Sequence, residues 1–135
     1  PEDPHSMEPI IKATGAEVHS WHKGGTCCGA SHISTKPEIG IELVTSILKE
    51  AKEADIIVTV CPMCQMNLEA NQSKISNREH EDLKTPILYL PQLLGLAMQL
   101  PEKELRLDLN LSITKKFRSK LKKYSAAQFP AAAAS

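Results

Sequence analysis

Apolar residues recur along the chain with different spacings, and the spacings predict helices and strands in turn. Between Pro4 and Gly15, the residues Met7, Ile10, Ile11 and Ala13 mark a short helix with a glycine stop. Glu17 to Trp21 reads as a short strand with Val18 inward and His19 outward, and Gly24-Gly25-Thr26 forces a loop after it. A stronger helix signal follows. Thr35 and Glu38 match a capping box, Pro37 falls in the first turn, and Ile39, Leu43, Ile47, Ala51 and Ala54 recur every three or four residues. Ile56 to Val60 is then a β-branched run without alternation, the pattern of a strand buried on both faces of a parallel sheet. Pro62 opens a helix through Met66, Asn67, Ala70 and Ile75, and the polar residues 76–85 read as a loop. Ile87 to Leu90 is a second buried strand. Pro91 opens a helix with Leu93, Leu94, Ala97 and Met98 on one face, ended by Pro101. Leu105, Leu107, Leu109, Leu111 and Ile113 alternate with polar residues like a strand, although Leu-rich extended segments also pack without pairing. Strand, helix, strand, helix means an α/β fold, and no internal repeat is present.

Composition sharpens this picture. The 135 residues make one domain, and 30 of them are Leu, Ile or Val, enough for a packed core. Aromatics are 4 %, so that core is aliphatic. No run of 18 apolar residues exists, which excludes a spanning helix. The polar start Pro1-Glu2-Asp3-Pro4 carries no secretory pattern, and a cytoplasmic location is expected. Net charge is zero but unevenly placed. Residues 115–123 carry six bases and no acid, so the body is about −6 and the tail about +6. A run of this kind reads as a solvated helix or as a docking segment for an acidic partner. Nucleic acid has no motif to support it. Pro130 to Ser135 is Ala-rich and reads as a disordered end or an expression scar.

Four cysteines carry the chemistry. Cys27 and Cys28 are adjacent, thirty-two residues separate Cys28 from Cys61, and Cys61 and Cys64 form a CxxC. The intervening helix and strand carry the chain away and back, which places both pairs at the carboxyl edge of a parallel sheet. Cys61 falls at a helix N-terminus, where free N–H groups and the dipole favour a thiolate. Two cysteine pairs together point to soft-metal ligation. A structural disulfide, four inert buried thiols and a thioredoxin-like dithiol are the competing readings. No carboxylate pair or Ser/His constellation offers another mechanism.

Cys27-Cys28-Gly29-Ala30-Ser31 followed by Cys61-Pro62-Met63-Cys64-Gln65-Met66-Asn67-Leu68 closely resembles the cysteine-rich CCG domain in the B subunit of heterodisulfide reductase, specifically its C-terminal copy. Ser6-Met7, Gly15-Ala16-Glu17, Trp21, Lys23 and Ala54 to Thr59 agree as well. Gln65 and Asn67 favour this reductase over CCG relatives in glycolate or lactate oxidation and succinate:quinone reduction. The resemblance implies a small Rossmann-like parallel-sheet domain with helices on both faces over residues 1–114, incomplete at its N-terminus, with residues 115–135 as a tail.

The resemblance also implies a role. Cys27, Cys28, Cys61 and Cys64 match ligands of a non-cubane [4Fe-4S] iron–sulfur cluster. In the family, two such domains split the coenzyme M–coenzyme B heterodisulfide with electrons from iron–sulfur and flavin partner subunits. The family motif has a further cysteine upstream, and none of the 26 residues before Cys27 is one. The chain is therefore expected to be a fragment or a variant lacking that ligand. Four thiolates suffice for tetrahedral zinc, with His22 and His32 as possible substitutes. Three functions follow as expectations: a disulfide-reducing or electron-transfer subunit inactive alone, a zinc-stabilised assembly module, or a thiol–disulfide oxidoreductase.

Overall fold

The computed structural model describes residues 5–128, so the ends at 1–4 and 129–135, including the Ala-rich terminus, lie outside the described residues. Its centre is a two-stranded parallel sheet. Strand β1 (Ile57–Thr59) pairs with β2 (Ile87–Tyr89) in the register Ile57–Ile87, Val58–Leu88, Thr59–Tyr89. The parallel α/β reading holds, and its cause is local. β-branched residues occupy both faces of β1, so neither face tolerates water.

Successive side chains of each strand point to opposite faces and so feed two cores. On one face, Ile57 and Ile87 join Ile41, Val44, Ile47, Leu48, Leu68, Ile75 and Cys28, contributed largely by helices α2 (Pro37–Glu50) and α3 (Pro62–Glu79). On the other, Leu88 and the partly buried Val58 join Leu93, Leu107 and Phe117, from α4 (Leu90–Ala97), the segment after it and α5 (Lys115–Gln128). Helix α1 (Glu8–Ala13) lays Ile11 against this second core and stops before Gly15, which adopts φ 84°.

Several elements depart from the pattern. The Thr35–Glu38 capping box does not form. The backbone N–H groups of Thr35 and Lys36 both bond to His32 O, which locks Thr35 in the preceding turn. Lys36 is therefore the N-cap and Pro37 the first helical residue. The buried stripe of α2 runs through Ile41, Val44, Ile47, Leu48 and Ala51, while Ile39 is exposed. Helix α3 continues to Glu79, through part of the expected loop. Two polar residues of α3 are buried and used: Gln72 Nε2 donates to Thr85 O at 2.6 Å and Ser76 Oγ accepts from Leu83 N at 3.1 Å. His80, at φ 54°, then ends it. Helix α4 starts at Leu90 and ends at Ala97, before Pro101 is reached.

Two expected strands are absent. Residues 16–21 are irregular, and His22 N is held instead by Glu50 Oε2 of α2 at 2.9 Å. The alternating stretch 105–113 forms turns and a short 3₁₀ helix (Leu107–Leu109). Side chains do there what a strand's backbone would do. Asn110 Nδ2 donates to Ile87 O at 2.9 Å, and Ser112 Oγ accepts from Ile87 N at 2.8 Å. The outer edge of β2 is thereby satisfied without a third strand.

Candidate functional site

The carboxyl end of β1 leads straight into the site. Thr59 Oγ1 accepts the N–H of Cys61 at 3.1 Å, which fixes the extended backbone (φ −105°, ψ 119°) that makes Cys61 the N-cap of α3. Tyr89, at the end of β2, donates from its hydroxyl to Val60 O at 2.8 Å and pins the same bend from the neighbouring strand. Pro62 has no N–H, so the first helix donors near the Cys61 sulfur belong to Met63 and Cys64. Those N–H groups, that of Cys64 above all, and the Cys64 thiol hold the Cys61 pKa below the ordinary thiol range.

Cys64 lies one turn further along α3, partly buried against the first core. Its thiol reaches both Cys28 and Cys61, and burial together with these two sulfurs pushes its pKa up to about 12. Cys28 is 3 % exposed and sits in the same core. Its backbone is tied to α3 by Asn67, whose Nδ2 donates to Cys28 O at 2.9 Å. Asn67 is 4 % exposed, and its own Oδ1 accepts from Asn71 Nδ2 at 2.9 Å.

The turn after the first pair depends on glycine. Gly29 adopts φ +71°, and a Cβ there would stand 2.7 Å from Leu43 Cδ1 and 3.1 Å from Gly40 Cα. The loop therefore rests directly on α2. Gly29 N–H points at Cys27 Sγ, 3.4 Å away. Cys27 itself is exposed.

Cys28, Cys61 and Cys64 are thus brought together, with Cys27 on the rim beside them. All four are free thiols. Among the described residues no three Cys, His, Asp or Glu side chains are gathered around one point as a metal-ligand set. His22 Nδ1 lies 3.5 Å from Glu50 Oε1 at the end of α2, and His32 is exposed on its turn. Neither histidine joins the cysteines. The donor chemistry nonetheless fits a thiophilic centre. Cys64 meets the sulfurs of both Cys28 and Cys61, burial and these two neighbours make it resist ionisation, and helix N–H groups face Cys61. Asn67, Thr59 and the Gly29–Gly40 contact are site-forming features that cysteine spacing does not reveal. The one cue for Asn67 is its place one helical turn after Cys64 on the same face.

Around the sulfurs the surface is apolar, with Val60, Met63 and Met66 each at least half exposed. No helix among the described residues is long and apolar enough to cross a membrane.

Comparison with known proteins places this geometry in context. The profile of the CCG cysteine-rich domain matches residues 1–69, which include both cysteine pairs. The 8-methylmenaquinol:fumarate reductase membrane anchor subunit of Wolinella succinogenes is 36 % identical over 111 residues, covering 81 % of this chain and 39 % of that protein. A protein of Archaeoglobus profundus described as like the B subunit of heterodisulfide reductase is 33 % identical, covering 76 % of this chain and 36 % of that protein. The B subunit of a ferredoxin/F420H2-dependent CoB-CoM heterodisulfide reductase of Methanosarcina acetivorans is 28 % identical, covering 93 % and 43 %. The chain thus spans about two fifths of the length of these relatives. A fumarate reductase subunit thus stands among the similar proteins beside heterodisulfide reductase B subunits.

Proposed function

The chain belongs to the cysteine-rich CCG domain family, and we propose that it serves as one domain of an electron-transfer subunit that reduces a disulfide, in the manner of the heterodisulfide reductase B subunit. The observation that carries this reading is the meeting of Cys28, Cys61 and Cys64 at the carboxyl ends of the strands, with Cys27 at the rim. Cys27, Cys28, Cys61 and Cys64 would hold an iron–sulfur cluster as thiolate ligands. Such a group supplies electrons, and two of them with two protons convert a disulfide into two thiols. This chain's own part is to keep the ligands in place through Asn67, Thr59 and Gly29, and to lower the cost of negative charge on sulfur with the N-terminal N–H groups of α3.

The coenzyme M–coenzyme B heterodisulfide is the substrate of this proposal, and iron–sulfur and flavin subunits supply the electrons. Free thiols suit a reducing, cytoplasmic compartment. A second reading rests on the cysteine count. Four thiolates complete a tetrahedral zinc site, and the domain is then an assembly module.

Anaerobic purification followed by iron, sulfide and zinc counting tests both. Iron and sulfide lost in Cys28→Ser and Cys64→Ser support the electron-transfer domain. Zinc near one per chain, without visible absorbance, supports the assembly module. Colourless, metal-free protein whose four native thiols are all freely alkylated overturns both.

A further inference from the structure

The basic run is the sequence feature that the cysteine chemistry leaves unused. Helix α5 buries Phe117 and half-buries Leu121 against the second core. At about 100° per residue these two residues define its inner face. Arg118 and Lys120 lie on either side of that face, and each is paired with the body: Arg118 with Glu102, Lys120 with Asp55. Lys115, Lys116, Lys122 and Lys123 fall on the opposite side, within an arc of about 120°. All four are exposed, and none is ion-paired among the described residues. Residues seven apart stack two turns, or about 10 Å, along the axis, so the four ammonium groups form a two-by-two array.

The helix is thus clamped by two cations and presents four others outward. The chain just before it adds apolar surface. Leu111 is 74 % exposed and Leu109 64 %. Leu111 lies four residues before Lys115, within about 14 Å of chain.

We propose that this face of α5 docks on an anionic lipid bilayer, independently of what the cysteines hold. The array carries lysines alone, as point charges without a forked guanidinium, and none of the four lines the cavity beside Arg118. It suits a laterally continuous negative surface, as the cytoplasmic leaflet of a membrane is. Leu109 and Leu111 supply apolar side chains of the sort that enter a headgroup layer.

Vesicle co-sedimentation of the 135-residue chain tests this. Vesicles with phosphatidylserine should bind the chain and pure phosphatidylcholine vesicles should not, and high salt should release it. Each Lys→Gln change in the array lowers partitioning about fivefold, and the combined Lys115, Lys116, Lys122, Lys123→Gln variant about a hundredfold or more. The same changes at Lys36 and Lys84, exposed lysines elsewhere, leave it unaltered. Circular dichroism confirms that each variant stays folded. Leu109→Ser with Leu111→Ser weakens binding without changing its salt dependence. Equal binding to neutral vesicles, an unaltered quadruple variant, or capture of an acidic protein partner through α5 with no vesicle binding each overturns the proposal.

Discussion

Asn67 donates to the carbonyl oxygen of Cys28 at 2.9 Å and so joins the two cysteine loops across a separation of 39 residues. The bond is buried, and Asn71 depends on the same side chain. Asn67→Ala leaves the Cys28 carbonyl short of its donor, while the Asn71 amide keeps the backbone oxygen of residue 67 at 2.8 Å. A loss of about 1–3 kcal/mol in denaturant unfolding is expected. Cys28, buried in the wild-type chain, should also react faster with a maleimide. Unaltered stability with unaltered labelling would show that the loops hold each other without Asn67.

Gly29 makes its contact with α2 only because it has no Cβ and tolerates φ +71°. Gly29→Ala combines left-handed strain with a collision against Leu43 and Gly40. It should lower stability by about 2 kcal/mol or more. Gly40→Ala meets Ile33 Cδ1 at 2.7 Å and Gly29 O at 3.2 Å from the other side of the same contact. Thermal melts of the two variants should shift in the same direction, and the double variant should fall short of their sum.

In the metal-free chain the CxxC cysteines should ionise in opposite senses. N–H groups of Cys64 and Met63 favour the Cys61 thiolate, while burial and neighbouring sulfurs keep Cys64 protonated to about pH 12. Pulsed iodoacetamide labelling read by peptide mass should modify Cys61 at lower pH than an ordinary thiol and Cys64 only in strong alkali or on unfolding. Stability follows the same signs. Above about pH 8.5 the unfolded chain releases the Cys64 proton while the folded chain keeps it, so stability falls as pH rises. The Cys61 contribution is present above the unfolded thiol pKa and is lost as pH falls through its lowered folded pKa.

Glu69 accepts from Ser112 Oγ at 2.5 Å and from Ser112 N at 3.2 Å, and Ser112 Oγ in turn receives Ile87 N. Ser112→Ala breaks this relay in the middle. It strands the Ile87 N–H at the outer edge of β2 and part of a buried carboxylate, at an expected cost of about 2–3 kcal/mol. Hydrogen exchange at Ile87 should accelerate in the variant. Protection that persists would mean another acceptor has replaced the hydroxyl.

Loading the site should stabilise the fold, because thiolates gathered by folding bind a cation that the unfolded chain holds poorly. Thermal melts with and without chelator should differ for the wild type and converge for Cys64→Ser. A melting temperature indifferent to chelator in freshly purified, metal-containing protein would count against these cysteines as ligands.

The parts of the fold that were legible in the sequence are those set by local sterics and burial. Ile56 to Val58 lacks alternation because Ile57 is buried in one core while Ile56 and Val58 pack against the other, and Pro62 suits the first turn of a helix. Those two facts place Cys61 at a strand end and a helix start. The return of Cys61 and Cys64 towards Cys28 follows from the α2–β1 unit between them. What could not be read depends on side chains competing with backbone. The alternation from Leu105 to Ile113 matches a strand, yet Asn110 and Ser112 satisfy β2 directly. Helix α3 runs on through polar residues because Gln72 and Ser76 find buried backbone partners. The exposure of Cys27, beside a Cys28 that is buried, has no signature in an adjacent pair.

The division of the apolar interior by the sheet has a consequence for how such a domain diversifies. Every cysteine contact described belongs to the Ile57–Ile87 face, whereas α5 rests on the Leu88 face. Substitutions on the two sides share few partners, so their energetic effects should simply add. Selection can then rebuild the outward helix for a new location while the sulfur chemistry is inherited intact. Two strands three residues long act as a firewall between where the domain attaches and what it does.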